Sequence, residues 1–150
     1  MLLLTKQMMI DYYIKVNKHK NVLFTNILTG AFMIGIDILE VERIEKALKK
    51  ENFLNRVFTN QELEYVKQYK NIASHLTGFF CAKEAVMKAL EDCKKMSFLD
   101  IEIYHNKNGK PYVKLYNKAQ EIFIKNNYKN IDISISQTDN YATAICLIKC

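Results

Sequence analysis

The chain has 150 residues, 49% of them apolar, and its 22 Lys and Arg against 16 Asp and Glu give a net charge of +6. That length buries one core and not two, and no apolar run is long enough to span a membrane. The four cysteines, Cys81, Cys93, Cys146 and Cys150, form no Cys-x-x-Cys pair and have no partnering histidines, which argues against a zinc site and for free thiols in a reducing compartment.

The segment Met1–Phe32 holds one acidic residue, Asp11, against Lys6, Lys15, Lys18 and Lys20. Acid-poor leaders rich in Lys and Asn are typical of organelle transit peptides. A packed helical extension is the competing reading, with Ile10, Tyr13 and Ile14 as its apolar stripe. The start Met1-Leu2-Leu3-Leu4 is broken at Thr5-Lys6, too short for a secretory core region. Targeting is preferred, so the chain divides into an extension, 1–32, and a domain, 33–150. The wealth of Lys, Asn, Ile and Tyr suits an AT-rich coding sequence, and with it a plastid-type organelle such as the apicoplast. On the competing reading the protein is cytoplasmic.

Met33-Ile34-Gly35-Ile36-Asp37-Ile38 reads as a buried strand. A lone carboxylate there is costly unless Asp37 binds a cation or accepts good hydrogen bonds. Helical spacing follows: Ile44, Ala47 and Leu48 form a core stripe, while Arg43, Lys46 and Lys50 fall on another face. That basic face is either simply solvated or a docking surface for an acidic helix. Thr59-Asn60-Gln61-Glu62 is a capping-box pattern opening a helix to about Tyr69. Asn71 to His75 reads as a connector, and Leu76, Phe79, Phe80, Val86, Met87 and Leu90 recur at helical spacing beyond it. Glu84 and Lys88 lie four apart on one face of this helix, with Lys83 beside them. Alone they are a surface salt bridge. With Asp37, two carboxylates from separate elements flanked by lysines suit a divalent cation that grips phosphate oxygens.

Ile101, Ile103 and Tyr104 begin a strand, and Asn108-Gly109 marks a tight hairpin into Tyr112–Leu115. Asn117 to Asn127 reads as a helix with Ala119, Ile122 and Phe123 inward. Ile131–Ser136 and Ala142–Ile148 form a last hairpin. The order is strand, three helices, hairpin, helix, hairpin, an α+β chain with a mostly antiparallel sheet against helices. His19, His75 and His105 are scattered and read as surface residues.

Gly35-Ile36-Asp37 and the run from Phe80 through Lys83-Glu84 to Lys88 resemble the two-part signature of the 4'-phosphopantetheinyl transferases, in particular the short holo-acyl-carrier-protein synthase type. Ile38–Ile44 around Arg43, Phe53–Thr59, Asn108-Gly109-Lys110-Pro111 and Ile133-Ser134-Ile135-Ser136 with Tyr141-Ala142 extend the resemblance from Met33 to Lys149. It implies the phosphopantetheinyl transferase fold and transfer of 4'-phosphopantetheine from coenzyme A to a serine of an apo-acyl-carrier protein, leaving adenosine 3',5'-bisphosphate and supporting fatty acid synthesis. It further implies Mg²⁺ held by Asp37 and Glu84, and Lys88 on the pyrophosphate with Lys83 at a phosphate. Gly109, Lys110, Pro111, Ser136, Gln137 and Thr138 would lie at the coenzyme, and Arg43, Lys46 and Lys50 would dock the carrier protein. The serine proton goes to Glu84 or to a metal-bound water. Homotrimers with active sites between subunits are the expected assembly.

This chain departs from the pattern in places. Gln137 stands where many relatives carry a histidine, so it is read as a positioning residue and not a base. Gly78-Phe79-Phe80 lacks an arginine common before the Lys-Glu pair, and Glu91-Asp92-Cys93-Lys94-Lys95 replaces a Gly-x-Gly turn, which gives Lys94 or Lys95 a part in holding coenzyme A. A basic nucleic-acid-binding module would explain the charge and tyrosines but leaves Asp37 and the Glu84/Lys88 pair without a purpose, so no nucleic-acid partner is expected. A two-metal phosphohydrolase needs more carboxylates than these.

Overall fold

Alternation organises the first strand. In β1 (Phe32–Glu40), Gly35 and Leu39 are buried and Asp37 half-buried, while Ile34, Ile36 and Ile38 turn to the opposite face, 62, 61 and 67% exposed. Among the described residues the strand is thus covered on one side only, where the long helix Ile72–Ala89 packs against the Gly35 side. A Cβ at Gly35 would fall 1.9 Å from the Ala85 carbonyl oxygen and 2.8 Å from the Ala89 nitrogen. Only glycine permits this approach, which brings strand and helix backbones together beside Asp37.

The computed structural model describes residues 32–91 and 96–150. The leader apart from Phe32, Cys93 and the Lys94-Lys95 pair lie outside the described residues. After β1 come α1 (Val41–Leu48), α2 (Phe53–Val57), α3 (Asn60–Val66), α4 (Ile72–Ala89), β2 (Ile101–His105), β3 (Pro111–Leu115), α5 (Asn117–Lys125), β4 (Asn130–Gln137) and β5 (Tyr141–Lys149). The α+β class and the antiparallel pairing are as the sequence suggests. Two boundaries differ. The short α2 adds a helix to the three expected, and its Phe53 meets Phe58 edge to face at 6.2 Å. Asn71–His75 is the start of α4 and not a connector, because Asn71 Oδ1 accepts the Ser74 N–H at 3.0 Å and caps the helix.

β1, β5 and β4 form a three-stranded sheet in that order, and β2–β3 pair separately. The register sets Asp37 opposite Ala144 and Gln137 opposite Ala142. Helix α4 fills the core with Leu76, Ala82, Ala85, Val86 and Ala89. The start of α1 is tied to the β4–β5 turn by Val41 N–H donating to the Asn140 carbonyl at 2.8 Å. Cys81, Cys146 and Cys150 are free thiols. No helix among the described residues is long and apolar enough to cross a membrane.

Candidate active site

Strand β1 and helix α4 bring Asp37, Glu84 and Lys88 together. The Lys88 ammonium donates to Asp37 Oδ1 at 2.7 Å and to the Ile36 carbonyl at 2.9 Å. From the other side, Thr143 Oγ1 donates to the Asp37 carbonyl at 2.8 Å, which pins the strand where the carboxylate emerges. Burial, and then the neighbouring Asp37 charge, pushes the Glu84 carboxyl above its usual range, with Lys88 opposing. The bond to Asp37 holds the Lys88 ammonium above its usual value. Burial and the same Asp37 push the adjacent Cys81 thiol up to about 12, so it is a packed thiol and no nucleophile.

Lys83 is turned away from this cluster. It is 0% exposed, paired at 2.7 Å with Glu62, itself 0% exposed. Its remaining donors reach the Val57 carbonyl at 2.8 Å and the Phe98 carbonyl at 3.1 Å. Glu62 in turn accepts from the Thr59 and Ile103 backbone N–H groups, each at 2.8 Å. This corrects the phosphate contact expected of Lys83: with its three donors spent inside the protein, its role is to join α2, α3 and α4.

A second group gathers at the other end of α4. Gly109, Pro111 and Gln137 line a cavity of about 240 Å³ together with Tyr65, Tyr69, His75, Phe79, His105 and Ile135. His105 stacks on Tyr65 at 4.6 Å and 6°, and Tyr69 lies 3.7 Å from His75. The two histidines read as scattered surface residues are therefore neighbours in one aromatic pocket. Their signal was position: His75 falls one turn before Phe79 on the same helix face, and His105 ends a strand whose Ile101 and Ile103 are buried. The expected loop residues do not all join them. Ser136 is exposed on the outer face of β4, and the Thr138 hydroxyl accepts the Tyr141 N–H at 3.1 Å within the β4–β5 turn. The Lys110 ammonium sits 5.3 Å from the Tyr112 ring centroid and 3.7 Å from Asp132. The hairpin is also wider than Asn108-Gly109 suggests, since His105 pairs with Pro111 and the Asn106 side chain accepts from the N–H groups of Asn108 and Lys110.

Arg43, Lys46 and Lys50 are all exposed on or just beyond α1, where Lys46 pairs with Glu42 at 2.6 Å.

A family model described as the 4'-phosphopantetheinyl transferase superfamily matches residues 33–146. A holo-[acyl-carrier-protein] synthase of Caldanaerobacter subterraneus subsp. tengcongensis is 47% identical over 116 residues, 76% of this chain and 91% of the relative. The chain belongs to the 4'-phosphopantetheinyl transferase superfamily, among the holo-[acyl-carrier-protein] synthases. Solved structures agree in fold. The Helicobacter pylori synthase in complex with coenzyme A superposes with a TM-score of 0.67 at 36% identity, over 77% of this chain and 99% of that one. The Plasmodium yoelii synthase does so with a TM-score of 0.69 at 34% identity, over 79% and 97%. For a synthase of this superfamily, Asp37, Glu84 and Lys88 form one compact polar group, and the Gln137 cavity is separate from it. Phe79 and Glu84, five residues apart, are offset by about 7.5 Å along the α4 axis and face different sides of the helix.

Proposed function

We propose that this synthase moves 4'-phosphopantetheine from coenzyme A to a serine hydroxyl of an apo-acyl-carrier protein, using Asp37, Glu84 and Lys88 on the pyrophosphate. The observation that carries the reading is the paired approach of two carboxylates and an ammonium at the β1–α4 contact, in a chain whose relatives are named for this activity. The donor set fits Mg²⁺: both acids offer hard oxygen ligands, and among the described residues no group of three or more His, Cys, Asp or Glu forms an all-protein cage. Mg²⁺ is held by one or two carboxylates, waters and substrate phosphates, and it would supply neutralisation of the pyrophosphate charge.

The protein's own groups do the rest. Lys88 spends two of its three N–H donors on Asp37 and Ile36, and the third meets a phosphate oxygen. The serine oxygen attacks the β-phosphorus of coenzyme A, and the bond to the bridging oxygen breaks. Adenosine 3',5'-bisphosphate then departs with the electron pair. The Glu84 carboxylate is placed to take the serine proton. Catalysis of this kind rests on positioning and charge stabilisation and needs no covalent enzyme intermediate.

The cavity at Gly109, Pro111 and Gln137 takes the nucleotide end of coenzyme A. Its separation from the Asp37 group is understandable if a neighbouring subunit completes each site. The uncovered face of β1 supports a homotrimer: Ile34, Ile36 and Ile38, with Phe32 and Ile145, form an exposed apolar surface of the kind copies bury. The basic face of α1 at Arg43, Lys46 and Lys50 docks the acidic carrier protein. The product feeds fatty acid synthesis, and Met1–Phe32 serves as an organelle address, for a plastid-type compartment.

Incubation with coenzyme A, Mg²⁺ and apo-carrier protein, read by intact mass, tests the chemistry: no mass gain on the carrier sinks it. Sedimentation of Ile36→Glu tests the assembly, since an unchanged trimer would place the interface elsewhere. A reporter carrying residues 1–32 that stays in the cytosol of a plastid-bearing host would remove the address.

A further inference from the structure

The pocket at the start of α4 contains an arrangement that the transfer chemistry does not require. The Gln137 side chain lies against Gly78, where an added Cβ would come 2.5 Å from Gln137 Oε1. From there its Nε2 meets His75 Nδ1. A carboxamide nitrogen can only donate, so Nδ1 accepts and the imidazole proton sits on Nε2. Burial holds His75 below the usual imidazole range, which keeps the ring neutral near pH 7. Among the described residues no group accepts from Nε2–H, which stays available to a molecule in the cavity that His75 lines. A second polar atom waits there too: His105 Nδ1 is buried without a hydrogen-bond partner, and such groups are rare unless something fills the site. The walls are Tyr65, Tyr69, Phe79 and the two imidazoles, and among the described residues neither lysine nor arginine lines the cavity. Neutral rings with one or two hydrogen-bonding edges suit a flat, uncharged heterocycle far better than a phosphate.

We propose that His75 contacts the adenine ring of coenzyme A through its Nε2–H and helps select for it, and that Gln137 is the positioning residue that fixes the His75 ring. This rests on the transferase reading above. Gln137 then acts on the ligand only through His75, and Gly78 leaves the space in which the amide can reach it.

The test titrates the full-length chain calorimetrically with coenzyme A and with inorganic pyrophosphate, beside the intact-mass transfer assay. His75→Phe keeps the ring and removes the donor. Its affinity for coenzyme A should fall about tenfold, the size of one net hydrogen bond with its partner left unpaired, while pyrophosphate binding stays within twofold. Gln137→Leu should weaken coenzyme A by less. The double variant should be no weaker than His75→Phe alone, because residues acting as a unit are not additive. Should His75→Phe fail to fold, Gln137→Leu carries the test alone, and unchanged coenzyme A affinity there overturns the proposal. So do additive losses, or equal losses for pyrophosphate. A wild type that transfers while its variants bind coenzyme A normally removes only the His75 assignment. A wild type that neither binds coenzyme A nor transfers removes the transferase reading with it.

Discussion

Lys83 and Lys88 stand five residues apart on one helix, and each meets a carboxylate at 2.7 Å, yet their surroundings give them opposite roles. The Lys83–Glu62 pair is wholly enclosed, 0% exposed on both sides, whereas Lys88 and Asp37 are 44% and 16% exposed. Burial works against charge on the enclosed pair, lowering the Lys83 ammonium and raising the Glu62 carboxyl, and backbone groups from three elements compensate by hydrogen bonding. Nothing from solvent reaches that pair, so it can only hold the fold. The open pair keeps polar atoms that a substrate can use. Distance alone does not separate structure from function on this helix; accessibility does.

The sharpest way to break the comparison is to cut each pair. Glu62→Ala or Lys83→Ala leaves a buried charge alone and should cost about 3–5 kcal/mol in denaturant unfolding. Glu62→Leu/Lys83→Met should cost less than the sum of the single changes, because it leaves no buried charge unpaired, although the Thr59 and Ile103 N–H groups and the Val57 and Phe98 carbonyls all lose partners. Where Lys83→Met remains folded, its transfer rate per folded molecule should be near wild type. A folded Lys83→Met with lost turnover would make Lys83 part of the site after all.

Asp37→Ala and Glu84→Ala should do the reverse. Each removes a carboxylate that the proposed reading places at the pyrophosphate, so turnover should fall roughly a hundredfold or more while the melting transition moves little. Either variant transferring at near wild-type rate with Mg²⁺ present would remove that residue from the site.

The comparison also shows what the sequence could disclose. Glu84 and Lys88 lie on one face by simple i, i+4 spacing, and Asp37 stands out in an apolar strand, so that part of the candidate site was legible. Lys83 was legible too, in hindsight: it lies seven residues after Leu76, four after Phe79 and three before Val86, in phase with the apolar stripe that faces the core. Its partner was not. Glu62 reads locally as the third residue of a capping box, which it is, but its other oxygen turns to Ile103 on a strand far along the chain. Partnerships of that kind depend on tertiary packing, and no periodicity encodes them. The His75–Gln137 bond, which spans α4 and β4, was hidden for the same reason.

A smaller effect should appear in the pH profile. A carboxyl raised in the folded enzyme is protonated earlier as pH falls, and Glu84 must be ionised to bind a cation or accept a proton. The acid limb of kcat/KM, which reports the free enzyme, should therefore lie above the ordinary carboxylate range, and raising Mg²⁺ should shift it to lower pH by favouring the ionised form. An acid limb in the ordinary range and insensitive to Mg²⁺ would mean that Glu84 is not the group titrating.

The smallest effect belongs to an exposed pair. Lys46 and Glu42 lie on the surface of α1, 67% and 66% exposed, where solvent screens them and the contact adds little to stability. The value of Arg43, Lys46 and Lys50 would then lie in what approaches from outside. Charges at an interface rim act mainly on association, so Arg43→Glu, Lys46→Glu or Lys50→Glu should raise KM for the carrier protein several-fold, leaving KM for coenzyme A and the melting temperature nearly unchanged. Salt distinguishes this from a local defect. At about 1 M the Debye length shrinks to about 3 Å, so wild type and variants should converge as the wild type loses its steering. A difference that persists at high salt, or that appears equally in KM for coenzyme A, would move carrier docking off α1.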